Sequence, residues 1–406
     1  MMCVNISSVK SNCTWRNTND EARSYIDPGL KYLHICIRPN LSPRIFTCMS
    51  IIRVSVEEFL SLAQHHPILD VRSPAEYHHA CIPGALSLPL FSDEERKTVG
   101  TAYKQVSREE AIKIGLDFFG PKMRKMVEFV ETTLQTGKEK TVLIHCWRGG
   151  MRSGAIAWLM NLYGFEVVLL DGGYKAFRNW VLAQFRKDYP FRLVGGYTGS
   201  GKTQVLHELS VQGHEIIDLE AMACHKGSAF GGLDKVPQPS TEMFENTLAY
   251  QLFEIKRRSQ DADIWIEDES QRIGDINMPI ELWNCFRTKP LYFLAVDFEN
   301  RLEYIVQEYG KYSKEGLINA IVRIRKRLGG LETKTAVNCL LENDLRGCFS
   351  ILLRYYDKHY EKALKNRPNL NAVMCKVDAA VVDPKTNTKK ILAKAYESTR
   401  NEHSTH

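Results

Sequence analysis

Several classes of protein are excluded by what this sequence lacks. No apolar run approaches the ~20 residues that a membrane-spanning helix needs, and the N-terminus has no basic region followed by an apolar core. The eleven cysteines are an odd number without Cys-x-x-Cys spacing, which argues against a disulfide scaffold and a zinc site. With 44% hydrophobic and 25% charged residues, the 406-residue chain is expected to be a cytoplasmic protein of two or three domains without membrane contact.

Basic residues are in slight excess. The 54 Lys and Arg against 48 Asp and Glu give a formal charge of +6, which suits an anionic partner such as RNA or a phosphorylated substrate. The excess is concentrated late in the chain, where residues 301–400 hold 20 basic and 11 acidic side chains. Any contact with an extended polyanion is therefore expected in this last part.

Short apolar runs alternate with helical patterns from residue 50 onward, which predicts an α/β fold with mostly parallel sheets. Beyond residue 297 the pattern is largely helical. Residues 1–48 show neither helical nor strand periodicity, so we assign them no role and consider Met49 a possible true start of the protein. Pro190 separates a first predicted domain, 50–189, from a second, 190–406. The predicted strands cover residues 67–71, 141–145, 165–170, 191–194, 215–218, 264–266 and 290–296.

A cysteine loop is the first candidate site. Cys146 directly follows a predicted strand, and Arg152 lies six residues later where a helix begins. Backbone N–H groups of such a turn lower the pKa of a thiol and bind a tetrahedral anion, which an arginine grips through two oxygens. Gly149 and Gly150 are expected to supply positive φ angles. The remaining loop residues are Trp147, Arg148, Met151 and Ser153.

A phosphate loop is the second candidate site. The pattern G-x-x-x-x-G-K-[ST] follows the strand at 191–194 and precedes a helix, which is the context of a P-loop. Its backbone amides would hold a diphosphate, Lys202 would neutralise it, and Thr203 suits Mg²⁺. Whether a metal is required stays open; Asp218 and Asp268 are candidate acids or Mg²⁺ ligands, beside Glu267 and Glu269. The loop comprises Gly196, Tyr197, Thr198, Gly199, Ser200, Gly201, Lys202 and Thr203.

The sequence before the cysteine loop resembles a rhodanese-type sulfurtransferase domain. The resemblance is carried by Asp70-Val71-Arg72-Ser73-Pro74-Ala75-Glu76-Tyr77 and by Ile82-Pro83-Gly84-Ala85, with Cys146 in the position of the sulfur-carrying cysteine. It implies a rhodanese-like parallel-sheet domain followed by a P-loop NTPase-like α/β domain with a helical, basic C-terminal part. Rhodaneses typically have four residues between Cys and Arg, whereas this loop has five. The wider cradle suits a phosphate or selenophosphate ion.

Across residues 50–370 the chain resembles the tRNA 2-selenouridine synthase family. The matching segments, besides the two loops, are Glu95-Arg96, Val99-Gly100-Thr101, Tyr103-Lys104-Gln105, Gly172-Gly173-Tyr174-Lys175, Asp218-Leu219-Glu220, His225-Lys226-Gly227-Ser228 and Glu267-Asp268-Glu269-Ser270. The resemblance implies replacement of sulfur by selenium at the wobble 2-thiouridine of tRNA. Geranyl diphosphate would first alkylate the sulfur, and selenophosphate, from a supplying enzyme, would then deliver selenium. Cys146 would be the essential thiol and Arg152 the anion binder.

The tRNA implied by this resemblance would meet the basic last third. Its candidate contacts are Arg323, Arg325, Lys326 and Arg327, and the stretch 354–362, where basic residues alternate with tyrosines that can stack on unpaired bases.

Three other functions remain compatible with the same residues. Cys, five residues and Arg is also the signature of cysteine phosphatases, so a phosphatase fused to a kinase-like P-loop domain is one alternative. A tRNA geranyl or sulfur transferase without selenation is the second. A non-catalytic sensor that uses both loops to bind anions is the third.

Overall fold

Five strands of the first half form a parallel sheet, whose central strands are buried on both faces. The structure is a computed structural model that describes residues 51–133, 140–228, 230–231, 233 and 236–403. The strands are β1 (Ile51–Val54), β2 (Ile68–Asp70), β3 (Leu86–Ser87), β4 (Thr141–His145) and β5 (Glu166–Leu170). They pair in the order β1-β5-β4-β2-β3, with Ile144 opposite Leu169. Double-sided burial explains why β4 and β5 are continuous apolar runs.

Helices and turns connect these strands. Polar caps begin several of them, as Ser92 does by accepting the Glu95 amide while the Glu95 carboxylate accepts the Ser92 amide. The helices are α1 (Val56–Leu62), α2 (Pro74–His79), α3 (Asp93–Gln105), α4 (Arg108–Phe119), α5 (Met123–Thr133), α6 (Met151–Tyr163) and α7 (Gly173–Gln184).

A second parallel sheet organises the second half. Its strands are β6 (Phe191–Gly196), β7 (Glu215–Ile217), β8 (Ile264–Glu267), β11 (Leu291–Val296) and β12 (Met374–Ala379), while β9 (Arg272–Ile273) and β10 (Ile276–Asn277) form a separate antiparallel pair. The order is β12-β11-β6-β8-β7, which makes β6 the central strand. The acid that ends β8, Glu267, therefore lies opposite Val194 of β6.

The helices of the second half flank this sheet and build a helical layer near its carboxyl edge. They are α8 (Lys202–Val211), α9 (Leu219–Met222), α10 (Thr241–Arg258), α11 (Ile280–Phe286), α12 (Phe298–Tyr309), α13 (Lys314–Arg323), α14 (Arg325–Leu328), α15 (Gly330–Leu341), α16 (Leu345–Lys365), α17 (Leu370–Val373) and α18 (Pro384–His403).

One apolar core runs through both halves. It joins Tyr174 and Phe177 of α7 to Phe244 and Leu248 of α10. Polar contacts reinforce the same junction, because the Tyr174 hydroxyl donates to Glu242 at 2.7 Å and accepts from the Asn246 amide at 2.8 Å. The two sheets consequently belong to one compact unit.

The predicted α/β class, with a rhodanese-like sheet followed by a P-loop-like sheet, is confirmed. The list of predicted strands is incomplete. It omits β1, the two-residue strands β3, β9 and β10, which are too short to give an apolar run, and β12, which lies in the largely helical region beyond residue 297. Residues 1–48 lie outside the described part of the chain. Within that part, no helix is both long and apolar enough to cross a membrane.

Candidate functional site

The Cys146 loop connects β4 to α6. Its sulfur is buried, with 3% of the residue exposed, and lies 3.2 Å from the Ser153 hydroxyl. Burial raises the pKa of the Cys146 thiol, but hydrogen bonds from Ser153 and from the Arg148 amide, together with the charge of Arg152, outweigh burial and lower it. The lowered pKa gives this cysteine a larger share of thiolate, its reactive form, than an ordinary thiol has.

A pair of glycines at the start of α7 supports this loop from behind. The Tyr174 amide donates to the Cys146 carbonyl at 2.8 Å, and the Lys175 amide donates to the Trp147 carbonyl at 2.9 Å. A Cβ atom on Gly173 would lie 2.4 Å from the Cys146 carbonyl oxygen, so the approach requires glycine. Within the loop itself Gly149 has φ +64°, whereas Gly150 has φ −102°, so the positive φ expected at Gly150 is wrong.

Arg152 is held by a carboxylate. Its guanidinium donates to Glu76 at 2.6 Å, and Arg96 reaches the same carboxylate at 3.3 Å. Burial raises the pKa of Glu76, but the Arg152 hydrogen bond and charge dominate together with the Ser73 amide and Arg96, and lower it to about 2. An incoming anion would thus share Arg152 with Glu76. Trp147, Arg148 and Met151 are exposed around the loop.

The P-loop lies between β6 and α8. Gly196, Gly199 and Gly201 all have positive φ, and a Cβ on Gly199 would lie 2.7 Å from Ile305 of α12. Lys202 begins α8 and reaches back to the Gly196 carbonyl at 3.2 Å. A lysine folded over a turn of backbone amides at a helix start is an anion-binding arrangement. The other predicted members take up the rest of the turn: Tyr197 and Thr198 after Gly196, and the fully buried Ser200 before Gly201.

Glu267 is the acid that directly contacts the P-loop. It is 3% exposed and accepts a hydrogen bond from the Thr203 hydroxyl. Burial raises the pKa of Glu267, opposed by the charge of Lys202 and by Thr203. Its Oε1 atom is buried without a hydrogen-bond partner among the described residues. Glu267 is therefore positioned to meet a group that enters beside Lys202.

Of the four acids named from the sequence, Asp218 and Asp268 have other partners. Asp218 caps α9 by accepting the Ala221 amide at 2.8 Å and contacts His207 at 2.7 Å. Asp268 lines the cavity beside the P-loop, where it accepts from Tyr360 and Arg367, each at 2.8 Å.

Two further carboxylates face the same cavity. Glu220 and Glu269 lie close together, both within 3 Å of the position a Gly227 Cβ would take. Burial, followed by repulsion from neighbouring carboxylates, raises the pKa of both. Across the described ranges, no group of three or more His, Cys, Asp or Glu side chains has an arrangement that could hold a metal ion.

Arg301 contacts the P-loop, a role that the sequence analysis did not identify. This buried side chain donates to the Thr198 carbonyl at 3.0 Å and to both oxygens of Asp357, at 2.9 and 2.7 Å. It therefore ties the P-loop to α12 and α16. An isolated arginine in a helical pattern gives no signal of this role, because its partner lies 56 residues away.

A cavity of about 520 Å³ opens over the P-loop. It is lined by Lys202, Thr203 and Glu267 and by aromatic side chains of α11, α12 and α16. All four basic candidates of α13 and α14, Arg323, Arg325, Lys326 and Arg327, are exposed, and Arg327 also lines this cavity. Its aromatic lining residues are Trp283, Phe286, Tyr304, Tyr309, Tyr355, Tyr356, His359 and Tyr360.

Comparison with known proteins agrees with this arrangement. The model of the tRNA 2-selenouridine synthase AAA domain matches residues 189–390, and that of the rhodanese-like domain matches residues 55–179. The chain is 34% identical to the tRNA 2-selenouridine synthase of a Sulfurovum species over 73% of this chain and 88% of that protein. It is likewise 34% identical to that of Hydrogenovibrio crunogenus, over 77% and 91%, and 32% identical to that of Nitrosomonas europaea, over 70% and 73%. A rhodanese-like cysteine loop and a P-loop in one chain, with relatives matched over most of their length, place this protein in the tRNA 2-selenouridine synthase family.

Proposed function

We propose that this protein is a tRNA-modifying enzyme, a 2-selenouridine synthase that replaces sulfur by selenium at the wobble 2-thiouridine. The carrying observation is the combination of two anion cradles, one with a cysteine whose pKa is lowered and one with a P-loop lysine, in a chain of this family. Two donors that each contain a phosphate group need two such cradles. The proposal has two steps, and each uses one cradle.

The first step alkylates the thiocarbonyl sulfur with geranyl diphosphate at the P-loop. The sulfur attacks the carbon that bears the diphosphate, a C–S bond forms, and diphosphate leaves. Lys202 and the loop amides stabilise the negative charge that grows on the leaving group. A Mg²⁺ ion, held by Thr203 and the unpartnered oxygen of Glu267, would add positive charge there.

The second step exchanges the geranylated sulfur for selenium at the Cys146 loop. Selenophosphate is a tetrahedral anion, which suits a loop with five residues between Cys146 and Arg152. The selenium of this donor, which a supplying enzyme provides, attacks C2 of the uridine, and the sulfur leaves as geranylthiol. Water then cleaves the P–Se bond and releases phosphate, which leaves 2-selenouridine. Cys146 serves as the essential thiol and Arg152 as the anion binder.

A phosphatase activity is less well supported, for a reason of charge. A cysteine phosphatase needs a protonated acid near its loop to protonate the leaving group. The carboxylate that contacts Arg152 belongs to Glu76, whose pKa of about 2 keeps it ionised at neutral pH. Glu76 therefore cannot supply that proton.

Nucleoside mass spectrometry tests the proposal. Purified protein is incubated with a 2-thiouridine tRNA, geranyl diphosphate and selenophosphate, and each donor is omitted in turn. We expect S-geranyl-2-thiouridine when selenophosphate is omitted and 2-selenouridine when both are present. An unchanged tRNA with folded protein would contradict the proposal and make phosphate release the next assay.

A further inference from the structure

α16 lines the cavity with one stripe of side chains, and the two ends of this stripe differ. Towards the C-terminal end, Tyr360 of α16 and Arg367, two residues beyond the helix, both bind Asp268, and the Tyr360 hydroxyl also accepts the Gly196 amide. Towards the N-terminal end, Tyr355 and His359 lie edge to face with ring centroids 4.5 Å apart. Tyr355 is half-buried and His359 is exposed, so ring surface remains accessible at that end.

Basic side chains lie around the end of the stripe that carries Tyr355 and His359. Arg327 lines the cavity together with Tyr355 and lies close enough for its charge to act on the Tyr355 hydroxyl. Exposed Arg323, Arg325 and Lys326 continue the positive surface along α13 and α14. A single nucleotide bound at the P-loop would not use three charges outside the cavity, whereas the phosphates of an RNA strand would.

We propose that the wobble base of the RNA enters the P-loop cavity at this end and stacks on Tyr355 and His359, while α13 and α14 hold the flanking phosphates. A base that undergoes chemistry has to leave its own stack, and aromatic side chains are the usual replacement surface. This assignment rests on the proposed function for its RNA substrate. It adds the route by which the base reaches the donor.

The opposite end of the stripe offers a second aromatic surface, which makes the proposal testable. Trp283 of α11 lines the cavity under the Arg287 guanidinium, which lies 4.6 Å from its ring centroid. Arg287 also donates to the carbonyl of Asn366. Asn366 directly follows α16 and comes eleven residues after Tyr355, so this contact places Trp283 towards the end of the stripe opposite Tyr355.

The experiment measures how much the wobble base itself contributes to the affinity of the protein for RNA. Two fluorescein-labelled anticodon stem-loops, one with the wobble uridine and one abasic at that position, are titrated by fluorescence anisotropy at one fixed salt concentration. For the unaltered protein we expect the intact loop to bind about 5- to 150-fold more tightly, the range for one stacked base. Tyr355→Ala should bind both loops equally, and Tyr355→Phe should keep the preference because the ring remains.

Control variants separate stacking from loss of folding. Tyr396→Ala removes an exposed tyrosine of α18 and should leave the preference unchanged. Thermal melting and the affinity for inorganic diphosphate should be alike in Tyr355→Ala and the unaltered protein.

The proposal is wrong if Tyr355→Ala keeps the preference, and loss in Trp283→Ala instead would show entry at the other end. It is also wrong if the unaltered protein shows no preference for the intact loop. Because binding is measured without donors, a stem-loop that shows the preference but is never modified would refute the proposed chemistry and leave this assignment standing.

Discussion

At the residue scale, Glu76 connects the charge of the cysteine loop to the stability of the fold. It lies on α2, and its carboxylate contacts both Arg152 and Arg96 while accepting the Ser73 amide. A depressed pKa means that the ionised form is bound more favourably in the folded state than in the unfolded chain. The resulting stabilisation is present above the usual pKa of a glutamate and is lost as the pH falls toward about 2.

We therefore predict that Glu76→Gln destabilises the protein at pH 7 and that the difference shrinks in acid. A shift from 4.5 to about 2 corresponds to roughly 3.5 kcal/mol at most, at about 1.4 kcal/mol per unit. Urea denaturation at pH 7, 5, 4 and 3 measures the difference in unfolding free energy. Glu110→Gln is the control, because Glu110 pairs with Lys113 at the surface and should cost about 0.5 kcal/mol or less. A difference for Glu76→Gln that is constant across this range would contradict the linkage.

The sequence predicted the two loops better than the acids beside them. Cys146, Lys202 and Thr203 could be named because each belongs to a motif with fixed spacing. Glu267 could not be separated from Asp268 because the two are adjacent, and the pleat of β8 decides which of them contacts Thr203.

At the element scale, the P-loop is fixed by α12 and α16 as well as by its own strand. Arg301 of α12 joins the Thr198 carbonyl to Asp357 of α16, and Tyr360 of α16 binds the Gly196 amide. These helices were predicted as helical and basic, but their contacts with the P-loop were not. Strand β12 was also missed, because its six residues directly follow the short helix α17 and only two of them are buried, so they form no separate apolar run.

We predict that Arg301→Ala lowers the unfolding free energy by about 3 kcal/mol, because it leaves Asp357 and the Thr198 carbonyl without this partner. It should also weaken binding of inorganic diphosphate, which calorimetry would measure. Arg346→Ala is the matched control: this arginine pairs with Glu299 and Glu303 but is 53% exposed, so its loss should cost about 1 kcal/mol or less. Equal effects of the two variants would show that Arg301 does not fix the loop.

At the scale of the whole molecule, the two halves are joined through Tyr174. Its amide supports the Cys146 loop, its ring packs against Trp147 and under Arg72, and its hydroxyl binds Glu242 and Asn246 of α10. The order of the two halves could be read from the sequence, because each carries a strand, loop and helix signature. Their junction could not be read from the sequence, since α7 and α10 are about 70 residues apart and neither helix carries a pattern that indicates contact with the other.

The central claim is that the two loops carry two separate steps of one reaction on tRNA. The most direct test is nucleoside mass spectrometry of a 2-thiouridine tRNA incubated with both donors and either Cys146→Ser or Lys202→Ala. We predict that Cys146→Ser accumulates S-geranyl-2-thiouridine without 2-selenouridine and still binds tRNA, whereas Lys202→Ala leaves 2-thiouridine largely unchanged. Normal 2-selenouridine formation by Cys146→Ser, or undiminished geranyl transfer by Lys202→Ala, would contradict the account.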